Sequence, residues 1–152
     1  MLSRDLTREE IFEGQPTYVL KAGDNESFHA KESLGLLATA AKGKFITRRS
    51  VAHEFFSWPL TPGKEWKIAF VRENPAQKSS AKLTYVKLIA NEEEIKVPAG
   101  NFATFKIESY GSDNGRLVTE QWYAPQVRWF VKIRDYLQEG VREEELTKFN
   151  LD

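Results

Sequence analysis

Residue types that serve in hydrolytic catalysis come together at one place in the sequence, where Ser50, His53 and Glu54 lie close to one another. A serine activated by a neighbouring histidine could attack an ester or amide bond. No Gly-x-Ser-x-Gly turn surrounds Ser50, however, and Ser50 and His53 would point to opposite faces of an extended strand. The sequence therefore favours an ordinary surface cluster, and we predict no catalytic residue.

Two acidic runs, Glu92–Glu94 and Glu143–Glu145, are the other candidates for acid–base chemistry. Paired carboxylates can cleave glycosidic bonds, but a catalytic acid must be kept out of water, whereas acidic runs usually mark solvated strand edges. Neither run has the spacing of a calcium loop. With two histidines and no cysteine in the chain, we predict no metal and no cofactor. An enzyme is left open but not favoured, with a hydrolase as the alternative.

Aromatic side chains are the remaining chemical feature, because they make up 12% of the chain. Most should pack in the core of a β-protein. Trp129 and Phe130 are adjacent, however, so in a strand only one of them can face a single-layer core. We therefore predict a groove for an apolar small molecule or a lipid, or a surface for a protein partner. The candidate ligand-binding residues are Trp58, Trp66, Trp122, Tyr123 and Trp129.

Composition limits the class of protein that must position these residues. The chain has 152 residues, 41% hydrophobic and 29% charged, which predicts a single antiparallel β domain over residues 1–152 rather than a disordered chain. Lys plus Arg and Asp plus Glu both number 22, so no nucleic-acid partner is expected. The longest weakly polar run, Leu34–Ala41, is too short to cross a membrane. We expect no transmembrane segment and no secretory signal in this chain.

Short alternating segments separated by turn residues give the fold class. Trp66–Arg72, Phe102–Tyr110 and 129–134 each place apolar side chains on one face at a period of two. The sequence predicts a mainly β protein with an antiparallel, strongly curved sheet, either a sandwich or an open barrel, with little helix.

Three local predictions are specific enough to check. Asn114-Gly115 lies between two predicted strands and indicates a tight hairpin. Residues 32–42 fit either a short helix ending at Gly43 or a strand of a hairpin, and both alternatives stay open. Thr7 to Glu10 has the pattern of a helix capping box, which predicts at most one helical turn.

Four sequence stretches occur in an order that resembles a known group of proteins. They are Phe55–Trp66, Val97–Phe102, Trp122–Pro125 and Glu145–Phe149. Together they resemble an uncharacterised family of bacterial exported β-proteins related to the TapB-like domains of unknown function. The family commonly has Pro-x-Val-Gly-Arg where this chain has Pro125-Gln126-Val127-Arg128-Trp129, so Arg128 stands in the place of the glycine.

The resemblance covers residues 55–149 and implies a cell-envelope or periplasmic antiparallel β domain. Such domains are often carried on exported proteins or lipoproteins, and the resemblance supplies no catalytic residue. With no cysteine, two isolated histidines and no recognised nucleophile or phosphate-binding motif, the sequence favours a non-enzymatic binding or interaction module, whose partner could be an envelope protein. The alternative is a hydrolase acting on an envelope glycan or ester.

Overall fold

The computed structural model describes residues 5–148, and every regular element in that range is a β-strand. The eleven strands are β1 (Asp5–Phe12), β2 (Gln15–Ala22), β3 (Asn25–Ala30), β4 (Leu36–Ala41), β5 (Lys44–His53), β6 (Glu65–Asn74), β7 (Ser79–Val97), β8 (Gly100–Gly111), β9 (Leu117–Ala124), β10 (Trp129–Leu137) and β11 (Gly140–Glu145). They form one sheet in chain order, with antiparallel neighbours. The predicted mainly β, antiparallel fold is confirmed.

The contacts within the chain divide it into two compact units. Among the described residues, the N-terminal unit contains 5–58 together with Ile68–Thr84, and the C-terminal unit contains Pro59–Lys67 and 85–148. The prediction of a single domain over residues 1–152 stays a prediction. No helix in the described range is long and apolar enough to cross a membrane.

An aromatic cluster fills the core of the N-terminal unit. The rings of Phe12, Phe28 and Phe45 lie 5.1 to 5.6 Å apart, one from each of three strands. Ala38 and Ala40 on β4 are buried beside them. Because Ala38 and Ala40 are small, the rings of Phe28 and Phe45 from the two neighbouring strands meet above β4, with centroids 5.5 Å apart.

Both N-terminal segments whose sequence suggested a helix form strands instead. Residues 36–41 form β4, which pairs with β3 and β5, so the strand alternative is correct. The helical turn predicted at Thr7 to Glu10 is wrong, because these residues lie in β1 and Glu9 pairs with Tyr18 of β2. Pairing with a neighbouring strand overrides a capping pattern whose contribution is only about 1 kcal/mol.

Paired and adjacent side chains are buried along the strands of the C-terminal unit. Ile107 on β8 and Ile89 on β7 are paired and fully buried. Phe130 and Val131 on β10 are adjacent and both buried, and the pairing of β9 with β10 shifts by one residue at that point. Such a bulge turns two successive side chains inward, where strict alternation would turn one of them out.

A left-handed residue joins β9 to β10. Arg128 has a φ of 62°, and its backbone nitrogen donates to the carbonyl of Ala124 at 2.9 Å. This is the position at which the resembling family commonly has glycine. The turn therefore keeps the backbone conformation that glycine favours, and the arginine carries the steric cost of a β-carbon in it, about 1–2 kcal/mol.

The predicted hairpin at Asn114-Gly115 joins β8 to β9. The backbone nitrogen of Gly111 donates to Arg116 at 2.9 Å, and that of Gly115 donates to Gly111 at 2.8 Å. Asn114 Oδ1 accepts from the backbone nitrogen of Arg116 at 3.0 Å. Gly115 has a φ of 67°, as a tight turn at Asn-Gly requires.

We predict that Gly115→Val lowers the free energy of unfolding by about 1–2 kcal/mol, measured by urea denaturation. No atom lies within 4 Å of an added β-carbon, so the loss comes from the backbone alone. Gly115→Asn should lower the free energy of unfolding by a smaller amount, since asparagine tolerates a positive φ. Equal losses for the two variants would contradict this explanation.

Candidate functional site

A surface groove of about 470 Å³ lies in the C-terminal unit. Three short segments line it: Glu92–Glu94 of β7, Ala103–Phe105 of β8, and Pro125–Gln126 of the turn after β9. The register of the hairpin positions the first two segments, because Glu92 is opposite Phe105 and Glu94 is opposite Ala103. Carboxylates therefore stand beside an apolar surface.

The acidic side of this groove differs from other acidic positions in the unit. Glu120, Glu143, Glu145 and Asp135 each form an ion pair with a lysine or arginine. Glu92 and Glu94 are exposed, and neither forms an ion pair with any residue of the described range. Their charges are available to a ligand without breaking an existing pair.

The carboxylate of Glu93 lies on the opposite face of β7 from those of Glu92 and Glu94, since adjacent strand residues alternate. There it accepts a hydrogen bond from the indole Nε1 of Trp122 on β9. Trp122 itself is only 4% exposed. Lys106, Lys132 and Arg134 lie over its ring, 5.4 to 5.6 Å from the ring centroid. The indole is therefore covered by cations, on the face of the sheet away from Glu92 and Glu94.

Glu120 holds two of these cations in place. Its carboxylate is 2.6 Å from Lys106 Nζ and 3.3 Å from Arg134 Nη1, and it accepts a hydrogen bond from Tyr136. Burial pushes the pKa of Glu120 up, but the hydrogen bonds from Lys106 and Tyr136 and the nearby positive charges outweigh it. The pKa of Glu120 is therefore below its ordinary value, and the carboxylate stays ionised.

A buried lysine lies one strand away from this network. Lys87 is 1% exposed, and its Nζ donates to Ser109 Oγ at 2.8 Å. Burial lowers the pKa of Lys87 to about 7. A serine beside a lysine of low pKa is a known nucleophile arrangement. Ser109 is only 2% exposed, however, and neither residue lines the groove, so a substrate has no route to them.

The five aromatic residues predicted to bind a ligand occupy different environments. Trp58 is 53% exposed and stacks on Phe56. Trp66 is half-buried on β6, and Trp129 is half-buried and packs against Phe130. Trp122 and Tyr123 are both buried, on opposite faces of β9. None of the five lines the groove, and the predicted apolar site built on them stays a prediction.

The Ser50, His53 and Glu54 cluster does not form a catalytic arrangement. Ser50 Oγ accepts from the backbone nitrogen of Val71 at 2.9 Å. The ring of His53 packs against Phe55 and Phe70, with centroids 4.7 and 5.0 Å away. No hydrogen bond joins Ser50 to His53 in the part of the chain that the structure describes. Over the same residues, no group of three or more acidic or histidine side chains could hold a metal ion.

Comparison with known proteins gives little beyond this geometry. No family model and no curated protein matches the chain. Among solved structures, the chain is similar to the hypothetical lipoprotein YmcC from Escherichia coli (K12), with 11% identity and a TM-score of 0.42. The similarity covers 86% of this chain and 76% of that one. At this TM-score, nothing about the neighbour's function or location carries over.

The sequence analysis missed Lys87, Ser109 and Glu120. Lys87 alternates with Ile89 in the sequence, so period-two counting puts a lysine on an apolar face. Such a residue is normally assigned to the end of a strand or to an exposed edge. Glu120 precedes two aromatic residues and is isolated in the sequence, and its cationic partners come from β8 and β10.

We predict that Lys87 makes the free energy of unfolding depend on pH in the alkaline range. Because the pKa of Lys87 is about 7 in the folded chain and 10.5 in the reference state, the unfolded chain binds more protons between these values. The free energy of unfolding should therefore rise with pH across this window, by at most about 1.4 kcal/mol per pH unit.

The measurement is chemical denaturation from pH 6.5 to 10.5. Lys87→Met should remove most of the rise, whereas Lys82→Met, at an exposed position of the same strand, should keep it. If the free energy of unfolding rose with pH equally in the original chain and in Lys87→Met, the pH dependence could not be assigned to Lys87.

Proposed function

We propose that the protein is a non-enzymatic binding module whose ligand or partner occupies the groove. The observation that carries this proposal is the pair of exposed carboxylates, Glu92 and Glu94, beside the apolar side chains of Ala103 and Phe105. Binding sites typically combine an apolar surface with a few fixed polar groups. Charged side chains that no neighbour neutralises are the groups most able to select a ligand.

Solvation of the same carboxylates argues against catalysis at this groove. A glycosidase needs one carboxyl in a desolvated pocket to act as acid, whereas Glu92 and Glu94 are both exposed. The hydrolase alternative is supported instead by the Lys87–Ser109 hydrogen bond. It requires a substrate to reach two buried side chains, so we regard it as the weaker candidate.

Location in the bacterial cell envelope is part of the proposal. Its support is the resemblance of residues 55–149 to the exported β-protein family. The apolar small molecule or lipid predicted from the aromatic residues remains one class of ligand to test.

The test is titration of the isotope-labelled chain, followed by nuclear magnetic resonance, with three probes: sodium laurate, phosphatidylglycerol vesicles and a tetralysine peptide. We expect saturable shifts of the Ala103, Thr104 and Phe105 amides with at least one probe. Ala103→Tyr, which places a ring in the groove, should abolish them. Ala69→Tyr changes another exposed alanine and should have no effect.

Two results would contradict the proposal. One is that no probe shifts the groove amides. The other is turnover of 4-nitrophenyl acetate that is lost in Ser109→Ala, since this would identify the Lys87–Ser109 pair as a hydrolytic site.

A further inference from the structure

One edge of β7 loses its neighbouring strand part-way along. Beside Ile89, the backbone nitrogen of Gly63 donates to Ile89 O at 2.8 Å, and Ile89 N donates to Lys64 O at 2.9 Å. β6 begins only at Glu65, after these residues, whereas β7 continues to Val97. The last part of β7 therefore extends beyond the strand that pairs with its outer side.

A bulge at Ala90 determines which backbone groups point outward there. The register with β8 shifts between Ile89 and Asn91, so Ala90 is an extra residue in β7. Ile89 directs its backbone groups away from β8, towards Gly63 and Lys64. After the bulge, the hairpin turn at Pro98-Ala99 determines which backbone groups of β7 point towards β8.

Val97 is opposite Gly100 across that two-residue turn, so these two residues form a hydrogen-bonded pair. Alternation then directs the backbone groups of Glu93 and Ile95 towards β8 as well. Those of Glu92, Glu94 and Lys96 point away from it. No strand among residues 5–148 pairs with this side of β7 after Ile89.

The side chains of this free edge determine what can pair with it. Glu92, Glu94 and Lys96 share one face of β7 and are exposed. Glu92 and Glu94 face the groove, beside Phe105 and Ala103. A second copy of this edge carries only one basic residue, Lys96, so in an antiparallel pair it can neutralise only one of Glu92 and Glu94 on each strand. A strand with basic side chains would be attracted.

We propose that this edge and the groove bind an extended basic segment of another polypeptide, which adds to β7 as an antiparallel strand. This inference rests on the proposed function of the groove. Lysine or arginine side chains opposite Glu92 and Glu94 meet their carboxylates, which stand between the added strand and the apolar side chains of Ala103 and Phe105 on β8. An acidic residue opposite Lys96 fixes the register. Added strands of this kind obtain affinity from the backbone and specificity from alternate side chains.

A polypeptide fits these features better than a small polyamine does. The edge offers backbone donors and acceptors at every second residue, roughly 7 Å apart, and only another backbone supplies complementary groups at that repeat. The groove is also open, since Glu92, Glu94, Ala103, Pro125 and Gln126 are exposed. An open groove suits side chains of a larger partner, because small-molecule sites usually enclose most of the ligand.

The experiment uses the full chain and the blocked peptide Glu-Thr-Lys-Thr-Lys, written in the direction that places its glutamate opposite Lys96. Calorimetry and the groove amide shifts report binding. Two control peptides separate the contributions: Lys-Thr-Glu-Thr-Glu reverses the charges, and a version with an N-methyl group on the central lysine removes one backbone donor. We expect each control to bind at least tenfold more weakly, and added salt to weaken the parent peptide.

A charge-reversed protein provides the matched test. Glu94→Lys should weaken the parent peptide at least tenfold and improve binding of the reversed peptide, whereas Glu139→Lys, at an exposed turn position, should change neither.

Equal binding of the parent and N-methylated peptides, or of the parent and charge-reversed peptides, would overturn the inference. The proposed function would survive either result if Ala103→Tyr still abolished binding. Peptide binding that is unaffected by Ala103→Tyr would contradict the proposed function itself.

Discussion

The bulge at Ala90 is the constraint on which the candidate site depends. Every backbone donor and acceptor of a strand needs a partner, either protein or water. Before the bulge, Ile89 is bonded to the segment that leads into β6. After the bulge, the hairpin to β8 determines the alternation of the backbone groups. Those of Glu92, Glu94 and Lys96 point to the side of β7 that β6 does not cover. The edge is open because β6 begins only at Glu65, and the extra residue determines which backbone groups of β7 point towards it.

Ion-paired carboxylates and exposed carboxylates lie in different parts of the C-terminal unit. Beside Trp122, the buried carboxylate of Glu120 is paired: it holds Lys106 and Arg134, and these cations cover the indole. A buried ion left without its partner would be destabilising. At the free edge, Glu92 and Glu94 are exposed and form no ion pair with another described residue, so their charges cost little in the free chain. This contrast is why we assign recognition to the edge and stability to the network around Glu120.

Much of the fold could be predicted from local sequence, because alternation and turn chemistry act over a few residues. Phe102–Tyr110 and Asn114-Gly115 were sufficient for a strand and its hairpin. The length of β7 could not be predicted, since the bulge at Ala90 and the acidic run Glu92–Glu94 interrupt the apolar alternation of Ser79–Val97. The acidic run at Glu92–Glu94 indicated a solvated edge but not a groove, because Phe105 and Pro125 approach it only through strand pairing. Burial of Trp122 likewise depends on lysines and an arginine from β8 and β10.

Hydrogen–deuterium exchange of the amides of β7 tests the free edge most directly. The account predicts fast exchange at Glu92, Glu94 and Lys96, whose amides point to solvent, and slow exchange at Glu93 and Ile95, whose amides are bonded to β8. Ile89, bonded to Lys64, should also exchange slowly. Uniform protection from Glu92 to Lys96 in the isolated chain would contradict the account, because it would mean that another part of the chain already covers this edge.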